Sequence, residues 1–130
     1  MTPYNLSDVT MMWDDRACSV LRYTLGTKWG WDSFQMRLEV GALMLMGLGH
    51  SVDLLIDARG WHFDNLSGLP DNLRCGFPAN LGRVVIVGDR SRANHISNAL
   101  TSVAGFTGER FAYAHSMEEA RRMVRPAAVM

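Results

Sequence analysis

The chain has 130 residues, 48% hydrophobic and 20% charged, enough for a real core and too apolar for extensive disorder. Its 13 basic and 13 acidic side chains cancel to a formal net charge of zero, so the basic excess typical of nucleic-acid binders is missing. The longest apolar run, Ala42 to Met46, is far too short to span a bilayer, and MTPYNLSDVT does not read as a secretory signal, which implies a cytoplasmic protein.

Val9 to Trp13 is a short β-prone run, and Asp14-Asp15-Arg16 reads as a turn. Cys18 to Thr24 then alternates, with Cys18, Val20 and Arg22 on one side and Ser19, Leu21 and Tyr23 on the other. Two such runs around a polar connection predict an antiparallel hairpin. After Gly26 and the aromatic stretch Trp29-Gly30-Trp31 comes a helix, with Asp32 and Gln35 spaced as a capping box. Phe34, Leu38, Gly41, Leu45 and Leu48 recur at helical spacing and form its core stripe. Met36, Val40 and Leu43 form a second apolar stripe on roughly the opposite side, and ALMLM leaves the second half apolar nearly all round. Either the fold encloses that half, or it is a surface for a partner, to which methionine adapts well.

Gly47, Gly49 and His50 end the helix. Val52 to Asp57 is an apolar run suited to a strand buried on both faces, and the loop after it would occupy the strand's carboxyl end, where open α/β sheets place their sites. Pro70 to Arg74 fits a short helix, which Gly76 and Pro78 would stop. Arg83 to Val87 is a second strong strand. Ser91 can cap a helix whose stripe is Ala93, Ile96, Leu100 and Val103, with Gly105 at its end. Arg110 to His115 is a last strand, followed by a capping box of Ser116 and Glu119 and a helix turning Ala120, Met123 and Val124 inward. Strands alternating with helices after an initial hairpin imply one α/β domain over residues 1–130, built on a mixed, mostly parallel sheet.

Three pieces of text carry a family resemblance: Trp29-Gly30-Trp31-Asp32; Pro78-Ala79-Asn80-Leu81-Gly82 running into Arg83 to Gly88; and Ser116-Met117-Glu118-Glu119-Ala120. With the chain's size and element order, they resemble the STAS superfamily (sulphate transporter and anti-sigma factor antagonist domains) and its bacterial STAS-like relatives. The resemblance implies a single-domain mixed sheet with helices mainly on one face, and a regulatory module that needs no cofactor. In anti-sigma antagonists an aspartate after the central strand leads into a Ser-Gly-Leu turn whose serine a partner kinase phosphorylates. The resemblance carries Ser67 onto that position, although Asn65 and Leu66 separate it from Asp64 and Pro70 follows Leu69. A phosphate there would gain from backbone N–H groups and change how a partner docks. The alternative is that Ser67-Gly68 is simply a turn.

Other chemistry is thin. His50, His62, His95 and His115 are scattered without ligand spacing, so no metal site is expected, and Cys18 and Cys75 form no metal or redox pair. Val87 to Ser91 is a strand-to-helix turn that could hold an anion but lacks a nucleotide-binding signature. Trp31, Trp61 and Phe63 lie in loops at element ends, where they could line a pocket for a small apolar or lipid-like ligand or act as lids on the core. The sequence therefore favours a non-catalytic interaction or regulatory module that pairs with itself through Met36, Val40 and Leu43, or with a regulatory protein. An apolar-ligand carrier and a Ser67-switched antagonist are the alternatives.

Overall fold

The computed structural model describes residues 9–27, 29–60, 76–101 and 110–124. They form β1 (Val9–Trp13), β2 (Val20–Leu25), α1 (Trp31–Met46), β3 (Val52–Asp57), β4 (Leu81–Val87), α2 (Arg90–Leu100), β5 (Phe111–Ala114) and α3 (Met117–Val124). The five strands make one mixed sheet in the order β1-β2-β3-β4-β5, with β1 antiparallel to β2 and every other neighbouring pair parallel. The short helix expected at Pro70 to Arg74 lies outside the described residues.

β3 is central because its side chains are apolar toward both faces. Val52, Leu54 and Ile56 enter one core with Leu21, Tyr23, Val84, Ile86 and the inner faces of α1 and α2. Leu55 enters a second with Val20, Val85, Val87 and the inner face of α3. Crossovers between adjacent parallel strands take one hand, so two that advance the same way along the sheet put α1 and α2 on the same side. α3 follows the last strand and covers the opposite face. Helices mainly on one face is thus true of α1 and α2, while the apolar second face of β3 and β4 draws α3 across.

Local chemistry moved several expected boundaries. The second hairpin strand starts at Val20, not Cys18, because the Asp15 carboxylate accepts the N–H groups of Ser19 (2.9 Å) and Val20 (3.1 Å) and holds the turn open that far. Cys18, at φ 56°, takes the left-handed turn position. Asp32 does not cap α1: Gly30 is the N-cap, Trp31 is already helical, and Gln35 donates to Glu39 (3.3 Å). Trp31 is drawn into the helix by packing on Trp29 and Phe34, with centroids 4.6 and 6.0 Å away, and Asp32 is left in the first turn, where its charge suits the helix dipole. For α2 the cap is Asp89 rather than Ser91; its carboxylate accepts the Ser91 N–H at 2.7 Å. At α3, Ser116 Oγ accepts the Glu119 N–H (3.1 Å), while Glu119 reaches back to the N–H of His115 (2.8 Å).

Two remote contacts position α1. The Asn80 amide donates to the carbonyls of Leu45 (2.9 Å) and His50 (3.0 Å), closing the helix's C-terminal end from the start of β4. Gly41 lies against the buried Tyr23 phenol, whose hydroxyl donates to the Arg37 carbonyl at 3.1 Å; a methyl group at residue 41 would collide with that oxygen.

Candidate functional site

α1 presents apolar side chains on both sides. Phe34, Leu38, Gly41, Ala42 and Leu45 are buried against the sheet. Met36, Val40 and Leu43 point away from it and are 62%, 42% and 68% exposed. Met46, 66% exposed, extends the same surface by nearly a turn. Of the charged residues in its middle, Arg37 turns inward to donate to the Val9 carbonyl (3.2 Å), whereas Glu39, three residues after Met36 and four before Leu43, is exposed in the same sector and accepts from Gln35. The sequence pattern identified the stripe through its spacing of four and three residues and set it opposite the core stripe, but left open whether the rest of the fold encloses it; Met46 stood only as part of the apolar second half.

A second surface lies where β2 and β3 end. Thr24 and Asp57 are register partners on these strands, and with Leu25, Gly26, Thr27, Arg59 and Gly60 they line a cleft of about 400 Å³ open to solvent. Alternation along β2 and β3 puts Thr24 and Asp57 on the face that carries α3. Asp57 is buried, and its carboxylate accepts from Arg59 three times: the backbone N–H (3.1 Å), Nε (2.9 Å) and Nη2 (3.0 Å). Hydrogen bonding to Asp57 holds the Arg59 guanidinium even more firmly protonated than usual. Gly88 makes this turn possible from the next strand. At φ 141°, it brings the end of β4 against the Ala58-Arg59 backbone, where a side chain would crowd the Ala58 carbonyl carbon.

Below the cleft on the same face, the Asp14 carboxylate is 1% exposed and serves two arginines. Arg22 Nη1 donates to it at 2.8 Å, and Arg121 of α3 donates through Nε (2.9 Å) and Nη2 (3.0 Å). Asp14 raises the Arg121 pKa further, chiefly through these bonds, with a smaller contribution from the charge of Asp57. The two acid–arginine groups are therefore within electrostatic reach of one another.

Trp31, expected in a ligand pocket or as a lid on the core, stacks edge to face on Trp29 and packs against Phe34, on the side of the sheet that carries α1 and α2. It is not among the residues lining the cleft. Trp61, Phe63 and Ser67 lie outside the described residues, as do His62 and Cys75. His50 donates through Nε2 to the Cys18 carbonyl at 2.9 Å. At the strand-to-helix turn from Val87 to Ser91, which could have held an anion, the Asp89 carboxylate takes the Ser91 N–H. Among the described residues no three His, Cys, Asp or Glu side chains are grouped to hold a metal ion, and no helix is long and apolar enough to cross a membrane. The sequence placed a possible site in the loop after Asp57 but gave Asp57 and Arg59 no role in it; the only further signal was an acid and a base two residues apart at a carboxyl edge.

Comparison with protein-family models, curated proteins and solved structures finds no match.

Proposed function

We propose that the protein is a non-catalytic interaction module that pairs with a second copy of itself through the outer stripe of α1, and that regulation by this pairing is its role. The observation that carries the reading is the stripe itself: Met36, Val40, Leu43 and Met46 are four of the five large hydrophobic side chains exposed among the described residues, and all four are on one helix. Four such side chains expose on the order of 400 Å², within the range of functional patches on small proteins. Two copies facing each other through these side chains alone would bury roughly 800 Å², less than the ~1,000 Å² of a stable interface, so the pairing is weak and transient. A two-fold axis makes the same patch serve both copies. An antiparallel arrangement would set the two helix dipoles in opposition, which favours it over a parallel one. The STAS resemblance adds support, because the leading hairpin and alternating parallel strands follow the element order it implies.

The test is light scattering over a range of concentrations. Wild-type protein is expected to move from the mass of one chain toward two. Val40→Glu, which would bury a charge at the centre of the interface, is expected to stay at one with its fold intact. Wild-type protein that remains a single chain throughout would overturn the reading.

A further inference from the structure

We propose that the cleft at the ends of β2 and β3 binds a small organic anion, a carboxylate or a phosphate monoester, held by Arg59 and the hydroxyls of Thr24 and Thr27. This goes beyond the pairing of α1, which uses the other side of the sheet, and neither proposal depends on the other.

A guanidinium has two donor forks, one through Nε and one Nη, the other through both Nη atoms. Asp57 occupies the first fork, at 2.9 and 3.0 Å, and also takes the Arg59 N–H. The second fork has no acceptor among the described residues, and the side chain is 49% exposed. Asp57 thus holds Arg59 in one orientation with a free bidentate donor edge, and this edge matches the paired oxygens of a carboxylate or phosphate. Orientation is already set, so little side-chain entropy is lost on binding.

The surroundings fit the same ligand. Thr24 and Thr27 add two hydroxyls, while Gly26 and Gly60 have no side chains to keep a ligand from the backbone. At about 400 Å³ the cleft exceeds a bare ion and falls within the ~300–1,000 Å³ typical of small-molecule sites, so the anion carries an organic group. The charge of Arg121 is felt at the Asp57–Arg59 pair, so a second cation adds to the attraction for an anion there. The cleft opens at the carboxyl ends of two adjacent parallel strands, where Thr24 and Asp57 stand side by side.

Calorimetric titration of the full chain with phenyl phosphate and, separately, with benzoate at low ionic strength tests the proposal. Saturable binding of at least one probe is expected, with a Kd on the order of 1 mM or tighter, and the tighter probe identifies the anion type. Arg59→Lys retains the charge and loses the fork, and is expected to weaken binding about tenfold. Thr27→Val, at an exposed position, is expected to weaken it ~2- to 10-fold, the loss of one hydrogen bond. Absence of saturation with both probes, or an unchanged Kd in both variants, overturns the site. Circular dichroism checks that each variant is folded; should Arg59→Lys fail to fold, the Thr27→Val titration decides alone.

Discussion

The two faces of the sheet are stabilised by different chemistry. Under α1 and α2 the core is continuous and aromatic: Tyr23, Trp29 and Phe34 are buried with centroids 5.5 to 5.9 Å apart along the Phe34 contacts, and Trp31 closes the edge. Under α3 the apolar core is small, and its largest members are Leu55 and Met117. There the helix is tied to the hairpin by Arg121 and Asp14, 107 residues apart in sequence. Burial of apolar area is nondirectional and tolerates variation, whereas an ion pair is directional and leaves a costly orphan when broken. Hence the first face can present a spare apolar surface outward, while the second concentrates the polar groups suited to a ligand.

The largest effect should come from the aromatic face. Phe34→Ala removes a fully buried ring that contacts Trp29, Trp31 and Tyr23, and is expected to cost about 3–5 kcal/mol in denaturant unfolding. Next comes the ionic face. Asp14→Ala leaves Arg22 and Arg121 without their shared acceptor, at an expected cost of roughly 2–3 kcal/mol; this is below the ~3–5 kcal/mol of a fully buried pair because Arg121 is 44% exposed. If Asp14→Ala proved the more damaging, the contrast between the faces would be inverted.

The smallest effect concerns Asp53, half-buried on the α3 side of β3. Burial raises its pKa above the ordinary 3.8, opposed by the Arg83 N–H bond at 2.7 Å and the Arg83 charge. A raised carboxyl pKa means stability present below the ordinary value and lost as pH rises through the raised one. Asp53→Asn retains the acceptor for Arg83 and removes that loss. Its stability relative to wild type should therefore increase from pH ~3 to pH ~7, by no more than about 1 kcal/mol. Urea unfolding at both pH values measures the gap; a constant or shrinking gap would show that burial does not dominate at this carboxylate.

Much of the architecture was legible because it is written in local periodicity. The apolar run at Val52 to Asp57, the alternation in the hairpin and the helical spacing of Phe34, Leu38, Gly41 and Leu45 each record which side of an element meets other protein. The candidate site was less legible. Arg59 looks like any loop arginine until Gly88 packs the next strand end against its backbone and Asp57 fixes its side chain. Asn80 is one polar residue within Pro78 to Gly82 in the sequence, yet its amide caps a helix that ended more than thirty residues earlier.

The sequence by itself determined the order of strands and helices, the central place of β3 and the two apolar stripes of α1, since each follows from the spacing of neighbouring residues. Tertiary structure alone decided that the outer stripe of α1 is left exposed among the described residues, which side α3 covers, why residue 41 is glycine, and which acid meets which arginine. These depend on groups brought together from distant parts of the chain, and hydrophobic periodicity encodes that a surface is to be buried, not what will bury it.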